Sequence, residues 1–426
     1  MRTRRTMALA AATSGLLVLA ACGDGNGGGG DAAAGDNGDG EQHTVVFDMW
    51  AGGESEVEAL EAQIAHAEEE LGDVTIELRS APWNDFFTQL TTRMSSGDMA
   101  CVTGMNGQRL SGYAEAFLPL GEEELATAGI DPAEFTDGSL DIMTHDGVLR
   151  GLPYDVASMM VFYNKDAFDE QGADEPQLGW SFDDFETAVQ DVHTDEMPAF
   201  GIGLGEFQWM SLPIARAEQQ PVTEAGELDL TNPDFVDAAE WYADLALEGY
   251  GEAPPSASET GWGEQQYEAG NVAMAVDGTW NAVSYLDNQG GFEAGMVDLP
   301  SGDGGGLALV LGSGYGVSAD CEDPETALRA LGALVGEAAQ DEIASSGRSY
   351  PARVSSQPLF FEALDEDIRD EVEAAFDAAF TNLEGQRSTD DWAQVNEMLQ
   401  PNLVSVFTGQ TTMSEVLENA QQQFGE

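Results

Sequence analysis

The stretch "TVVFDMWAGGESEVEALEAQIAHAEEELGDVTIEL", residues 44–78, reads as strand, helix and strand in one short run. Residues 44–50 are β-branched, aromatic or otherwise apolar except for Asp48, the pattern of a buried strand. From Glu54, Val57, Leu60, Ile64, Ala67 and Leu71 recur at steps of three and four, so they share one face of a helix. Residues 74–78 form the second strand. Pro82 then opens a helix carrying Phe86, Leu90 and Met94 and stopping at Gly97. A third strand over residues 100–103 runs into Gly104-Met105-Asn106-Gly107. Strands alternating with helices across short connections imply an α/β domain built on a parallel sheet. Ligands of such sheets bind outside the carboxyl ends of the strands. Residues 50–54 and 104–108 are therefore candidate rim segments, and Trp50, Glu54, Asn106 and Gln108 candidate contacts.

Upstream of this unit, Arg2, Arg4 and Arg5 precede a short apolar segment over residues 7–21, the layout of an export signal. The segment is too short to cross a bilayer of about 30 Å as a mature helix. Leu19-Ala20-Ala21-Cys22 resembles a bacterial lipoprotein cleavage motif, which implies that Cys22 is lipidated. Residues 1–22 are read as signal peptide and lipidation site. The glycine-rich residues 23–42 are read as a tether, since such a composition buries no core. Gly23 to Gly28 also fits G-x-G-x-x-G, but no strand precedes it and the match is compositional.

The body beyond residue 42 exceeds the roughly 250–300 residues at which single cores stop growing, so two domains are expected. No second long apolar run exists, so only the lipid anchor is expected to touch a membrane. The chain carries 79 acidic and 14 basic residues, and Lys165 is its one lysine. A formal net charge of −65 excludes nucleic-acid partners, whose binding rests on neutralising phosphates. Such self-repulsion opposes compaction unless salt screens it, and the Debye length falls to about 3 Å at 1 M. A high-salt habitat is the expectation; melting temperature should rise from dilute buffer to molar NaCl, and a flat or falling one would refute it. Cys101 and Cys321 form an even pair that permits a disulfide in an exported protein. His43, His66, His145 and His193 are scattered, so no His-based metal site is expected, and no cofactor is expected either.

The middle of the chain reads as mostly helical with weak strands. Ser181 is a plausible helix cap, and a helix spans residues 233–248. A strand over residues 307–311 precedes Gly312-Ser313-Gly314-Tyr315-Gly316 and a helix near residues 324–336. Helices near residues 364–381, 388–399 and 412–424 close the chain.

Several segments together resemble the extracellular solute-binding proteins of carbohydrate ABC importers, the family containing maltose-binding protein. Gly151-Leu152-Pro153-Tyr154-Asp155, followed by residues 162–168 (Phe-Tyr-Asn-Lys-Asp-Ala-Phe), is similar to that family's first interdomain crossing and the strand after it. Residues 180–185, beginning Trp-Ser-Phe, resemble its Trp-led helix start. Residues 267–274 with Gly278-Thr279-Trp280 resemble its "G-x-A-A-M … G-x-W" signature, and residues 409–417 its terminal helix. Ala100-Cys101-Val102 departs from the family's usual Pro-Asp-Val, placing a thiol where a loop-organising carboxylate commonly sits. The resemblance implies an α/β, two-lobed periplasmic-binding-protein-like (type II) fold with an interdomain cleft. Lobe 1 would comprise residues 43–154 and 299–337, and lobe 2 residues 155–298 and 338–426. Both Cys101 and Cys321 would then lie in lobe 1.

The implied function is binding of a sugar in the cleft and its delivery to membrane permease subunits, by a monomer held on the outer face of the cell membrane. Sugar rings have apolar faces and polar edges, so aromatic platforms and hydrogen-bonding side chains are sought together. Trp280 occupies the "G-x-W" slot and leads the platform candidates, with Trp209, Trp262 and Trp50. Tyr154 and Asp155 lie at the expected crossing. Glu54, Asn106, Gln108, Arg348 and Tyr350 are the other polar candidates, and Tyr315 is a cleft wall or a hinge spacer. Two alternatives stand beside this reading: a secreted glycoside hydrolase, which needs two carboxylates roughly 5–10 Å apart, and a polysaccharide-binding surface protein. G-x-S-x-G and H-E-x-x-H are both absent.

Overall fold

A computed structural model describes residues 42–287, 291–301, 308–381 and 383–425. The signal, lipidation and tether assignments fall outside the described residues, apart from Gln42. The opening alternation forms as β1 (His43–Trp50), α1 (Glu54–Leu71), β2 (Val74–Ala81), α2 (Trp83–Ser96) and β3 (Val102–Asn106). β1 pairs in parallel with both β2 and β3. Two later strands complete a five-stranded sheet: Ser313–Val317 lies antiparallel on β3, and Leu152–Pro153 antiparallel on that strand. The sheet is thus mixed, parallel only in the portion that residues 43–106 build. Its core contains Phe47, Leu60, Ile64, Phe86, Leu90 and Leu331. Asp48 is fully buried in β1, and Arg79 and Arg93 neutralise it from β2 and α2 at 2.6 and 2.8 Å. A buried carboxylate is tolerated only when paired in this way.

A second five-stranded sheet runs in the order Ala294–Asp298, Met159–Asn164, Met274–Gly278, Phe200–Gly201, Gly251–Glu252. Met159–Asn164 is buried at every position, as a strand covered on both faces requires. One covering core includes Phe185, Trp209, Tyr242 and Trp392, the other Phe162, Tyr267, Tyr285 and Phe376. Two sheets with separate cores make the molecule two-lobed.

Three chain passages join the halves and hydrogen-bond to one another. Asp155 bridges to Pro351, Ala157 bridges to Leu311, and the Tyr154 amide donates to the Ser313 carbonyl at 3.0 Å. Leu309 and Leu311 pack in the second core, whereas Glu337–Ser345 packs on α1 of the first half. Lobe limits at residues 299 and 337 do not follow this packing, and we place the late crossing near residues 311–313. The limits implied by the resemblance do not specify side-chain burial, and burial decides which half a segment joins.

Cys101 and Cys321 are bonded, with Cα atoms 5.1 Å apart. The bridge ties the entrance of β3 to the exit of its neighbour Ser313–Val317, two segments 220 residues apart in the chain. The thiol that departs from the family pattern is therefore a staple. The penultimate helix extends to Phe407 through Pro401, beyond the expected end at residue 399. Leu403, Val406 and Phe407 are buried along it, and that packing outweighs the lost backbone bond.

Candidate functional site

The carboxyl ends of β1, β2 and β3 converge on one cleft, which also has a wall from the second half. Its volume is about 410 Å³, within the range usual for small-molecule sites. Trp50 closes β1, Trp83 follows β2, and Asn106 ends β3; all three line the cleft. The facing wall comes from residues 205–208, residues 260, 261 and 264, and Trp280. Asp155, Ala157, Leu311, Gly312 and Ser313 form its floor from the crossings.

Aromatic faces surround this space. Trp50 and Trp83 meet edge to face at 4.9 Å, and Trp280 and Phe207 at 5.8 Å. Trp280 owes its place to Gly278. A Cβ there would come within 2.3 Å of the Trp280 ring, so only glycine lets the indole lie against the backbone. This gives the "G-x-W" spacing a steric cause.

Charges in the cleft are mostly paired. Arg348, its side chain 4% exposed, donates to Glu56 at 2.9 Å and to the Trp50 carbonyl at 3.2 Å. Arg109 donates to Glu206 at 3.1 Å, joining the end of β3 to the second half. Arg109 also lies over the rings of Phe87 and Trp83, 4.2 and 5.1 Å from their centroids. Asp155 accepts from the Ser313 amide at 2.7 Å and from the Ser349 hydroxyl at 3.1 Å. Burial pushes its carboxyl up to about 6 despite those bonds and the charge of Arg348. Glu264 lies well above the ordinary carboxylate range, through burial and then through the charge of Asp277. Among the described residues Glu264 Oε2, Glu206 Oε2, Arg109 Nε and Arg348 Nε are shielded and lack a hydrogen-bond partner. An unsatisfied polar atom of this kind costs about 1–3 kcal/mol.

The structure brings Trp50, Asn106, Tyr154, Asp155, Trp280 and Arg348 together at the cleft. The other sequence candidates lie elsewhere. Trp209 is fully buried in the second core, because it faces inward on the helix whose start lines the cleft. Trp262 donates to the Glu252 carbonyl at 3.1 Å, leaving its neighbours Gly261 and Glu264 on the wall. Glu54 is exposed at the start of α1; Glu56, two residues on, lines the cleft instead. Tyr315 is fully buried, stacked on Tyr154 at 4.9 Å and bonded to Gln63. Tyr350 packs among Phe360, Phe361, Phe376 and Phe380. Gln108 lines a different cavity. Missed from sequence were Trp83, Arg109, Glu206, Phe207 and Glu264. The strand-end rule that singled out Trp50 applies equally to Trp83 after β2, and Arg109 is one residue past the chosen rim segment. The three on the second wall carry no local signal, since only the fold brings that wall opposite the first.

A family model described as bacterial extracellular solute-binding protein matches residues 51–341. A putative binding protein of Brucella abortus is 19% identical over 361 residues, covering 82% of this chain and 84% of that protein. The arabinooligosaccharide-binding protein of Halalkalibacterium halodurans is 23% identical over 271 residues, 61% of this chain and 60% of its own. Among solved structures, an ABC substrate-binding protein from Listeria monocytogenes in complex with cycloalternan superposes with a TM-score of 0.80 at 19% identity, covering 90% of this chain and 98% of that one. The sugar-binding protein MalE from Xanthomonas citri gives 0.71 at 18% identity, with 90% and 96% covered.

Proposed function

The chain belongs to the bacterial extracellular solute-binding protein family, and on that premise we propose that it binds a saccharide between its lobes and hands it to an ABC importer. The observation that carries this reading is the cleft itself. Trp50, Trp83, Phe207 and Trp280 offer faces for sugar rings, and Asn106, Asp155, Glu206, Glu264 and the two arginines offer edges for hydroxyls. The arabinooligosaccharide-binding relative and the cycloalternan complex support a carbohydrate of more than one ring. The mechanism is closure: a ligand touching both walls favours the shut form by its differential affinity. In this reading Cys22 carries the lipid, residues 23–42 give slack to reach the permease, and the acidic body works in concentrated salt.

No helix among the described residues is long and apolar enough to cross a membrane. A hydrolase would need two carboxylates roughly 5–10 Å apart; Arg348 and Arg109 already engage Glu56 and Glu206, which leaves Asp155 and Glu264 as the acids that a turnover assay tests. The test is a thermal-shift panel of mono- and oligosaccharides in molar NaCl, arabino-oligosaccharides included. A ligand at a hundredfold excess over Kd adds about 2.7 kcal/mol of stability. Absence of any shift across the panel would refute saccharide binding, and release of new reducing ends would favour the hydrolase.

A further inference from the structure

Asp277 is 1% exposed on the strand Met274–Gly278, behind the second wall of the cleft, and does not itself line the cleft. Its carboxylate takes four donors. Oδ1 accepts from the Gln208 side-chain amide at 2.9 Å and from the Gly278 backbone N–H at 2.8 Å. Oδ2 accepts from the Asn281 side-chain amide and from the Tyr285 hydroxyl, both at 2.6 Å. An ionised carboxylate has about four such acceptor sites and no donor. Burial pushes this carboxyl up, and the four bonds oppose the rise without help from a cation among the described residues. A side chain needed only for packing there gains nothing from a charge that is costly to bury.

The two amides are the residues that follow the wall's two aromatics. Gln208 comes after Phe207 and Asn281 after Trp280, whose rings lie 5.8 Å apart, and all four residues line the cleft. An amide whose NH2 faces a carboxylate cannot turn over, because its carbonyl oxygen would then meet another acceptor. The oxygen of each amide is therefore held on the side away from Asp277. Gln208 Oε1 fills the space that a Cβ on Gly205, a further cleft residue, would need.

Resting on the saccharide reading above, we infer that Asp277 is a positioning residue that sets the hydrogen-bonding polarity of this wall. By holding the NH2 groups of Gln208 and Asn281, it leaves both carbonyl oxygens for the ligand, so the wall beside Phe207 and Trp280 accepts from sugar hydroxyls. A ring edge carrying a carboxylate at that place would set oxygen against oxygen and be rejected. Asp277 does this without touching the ligand.

The test measures calorimetric affinity for maltotriose, mannotriose and arabinotriose in molar NaCl, with the melting temperature of each empty protein. The trisaccharide that native protein binds most tightly serves for the variants. Asp277→Asn puts an NH2 where a carboxylate oxygen accepted, so one cleft amide must turn over or lose its bond. Affinity should fall about tenfold. The exchanged pair, Asp277→Asn with Asn281→Asp, again sets donor against acceptor at unchanged total charge and should bind within about threefold of native. A merely structural role would lower the melting temperature of Asp277→Asn but leave the affinity of the folded protein within about twofold of native, and that result would overturn the inference. So would a loss that the exchange leaves in place. Gln208→Met and Asn281→Leu each remove one carbonyl oxygen with Asp277 still present, and each should weaken binding about fivefold. Native affinity in both would overturn the inference even where Asp277→Asn fails to fold. Failure of native protein to bind any of the three sugars would refute the saccharide reading, and this inference with it, before a variant is measured.

Discussion

The crossings separate two cavities of opposite character. Asp155 and Ala157 face the cleft of about 410 Å³, whereas Val156, between them, faces a cavity of about 720 Å³. The larger cavity is lined by Asp137, Asp141, Asp146, Glu224 and Asp390, all exposed, with Phe380 as its aromatic residue. No lysine or arginine lines it. The smaller one gathers three tryptophans, two arginines with carboxylate partners, and acids whose protonation is shifted by burial. In a chain of 79 acids, exposed carboxylates around an opening are what charge density alone supplies. Aromatic faces beside buried, paired charges are not. Size alone does not choose between them; the chemistry of the lining favours the smaller cavity as the candidate cleft and leaves the larger an exposed, acidic recess.

The sharpest way to break this contrast is Trp280→Ala. Losing a buried aromatic face should cost about 2–3 kcal/mol of binding, roughly 30- to 150-fold in Kd by calorimetry. An unchanged Kd would move the site away from the cleft. Next comes the titration of Asp155. Its folded-state carboxyl stands at about 6 against an ordinary 3.8, so the folded protein holds that proton more tightly than the unfolded chain. The associated stability is fully present below about pH 4, is lost as pH rises toward 6, and stays lost above. The loss is on the order of 3 kcal/mol. Denaturant titrations of Asp155→Asn should lack this fall, so the variant should gain on native protein between pH 4 and 7. A pH-independent difference between the two would mean that the crossing does not penalise the charge.

Smaller effects sharpen the comparison. Gly278→Ala should push the Trp280 indole off its backbone seat and weaken binding about tenfold, as one misplaced contact of about 1.4 kcal/mol would. Tryptophan fluorescence should shift with it; native affinity in this variant would detach Gly278 from the platform. The recess should be the quiet side. Asp141→Asn and Asp390→Asn should change saccharide affinity less than twofold, because exposed charges in molar salt act over only about 3 Å. A larger change would make the recess part of the ligand path.

What could be read along the chain was what neighbours in sequence decide. The alternation over residues 44–103 needs only side-chain periodicity, and it yielded β1 to β3, their helices and the rim at their carboxyl ends. Trp50 and Asn106 follow from strand ends, and Trp280 from the resemblance to the family's glycine–tryptophan spacing. Trp209 shows where this stops. Nothing local says which face of its helix turns inward, and packing against Phe235 in the second core settles it. The Cys101–Cys321 bond, the antiparallel return of Ser313–Val317 and the meeting of Arg109 with Glu206 join residues about 100 to 220 apart. Burial and charge pairing between such distant segments depend on how the two halves, each with its own packing, dock around three crossings, and that geometry exists only in the folded chain.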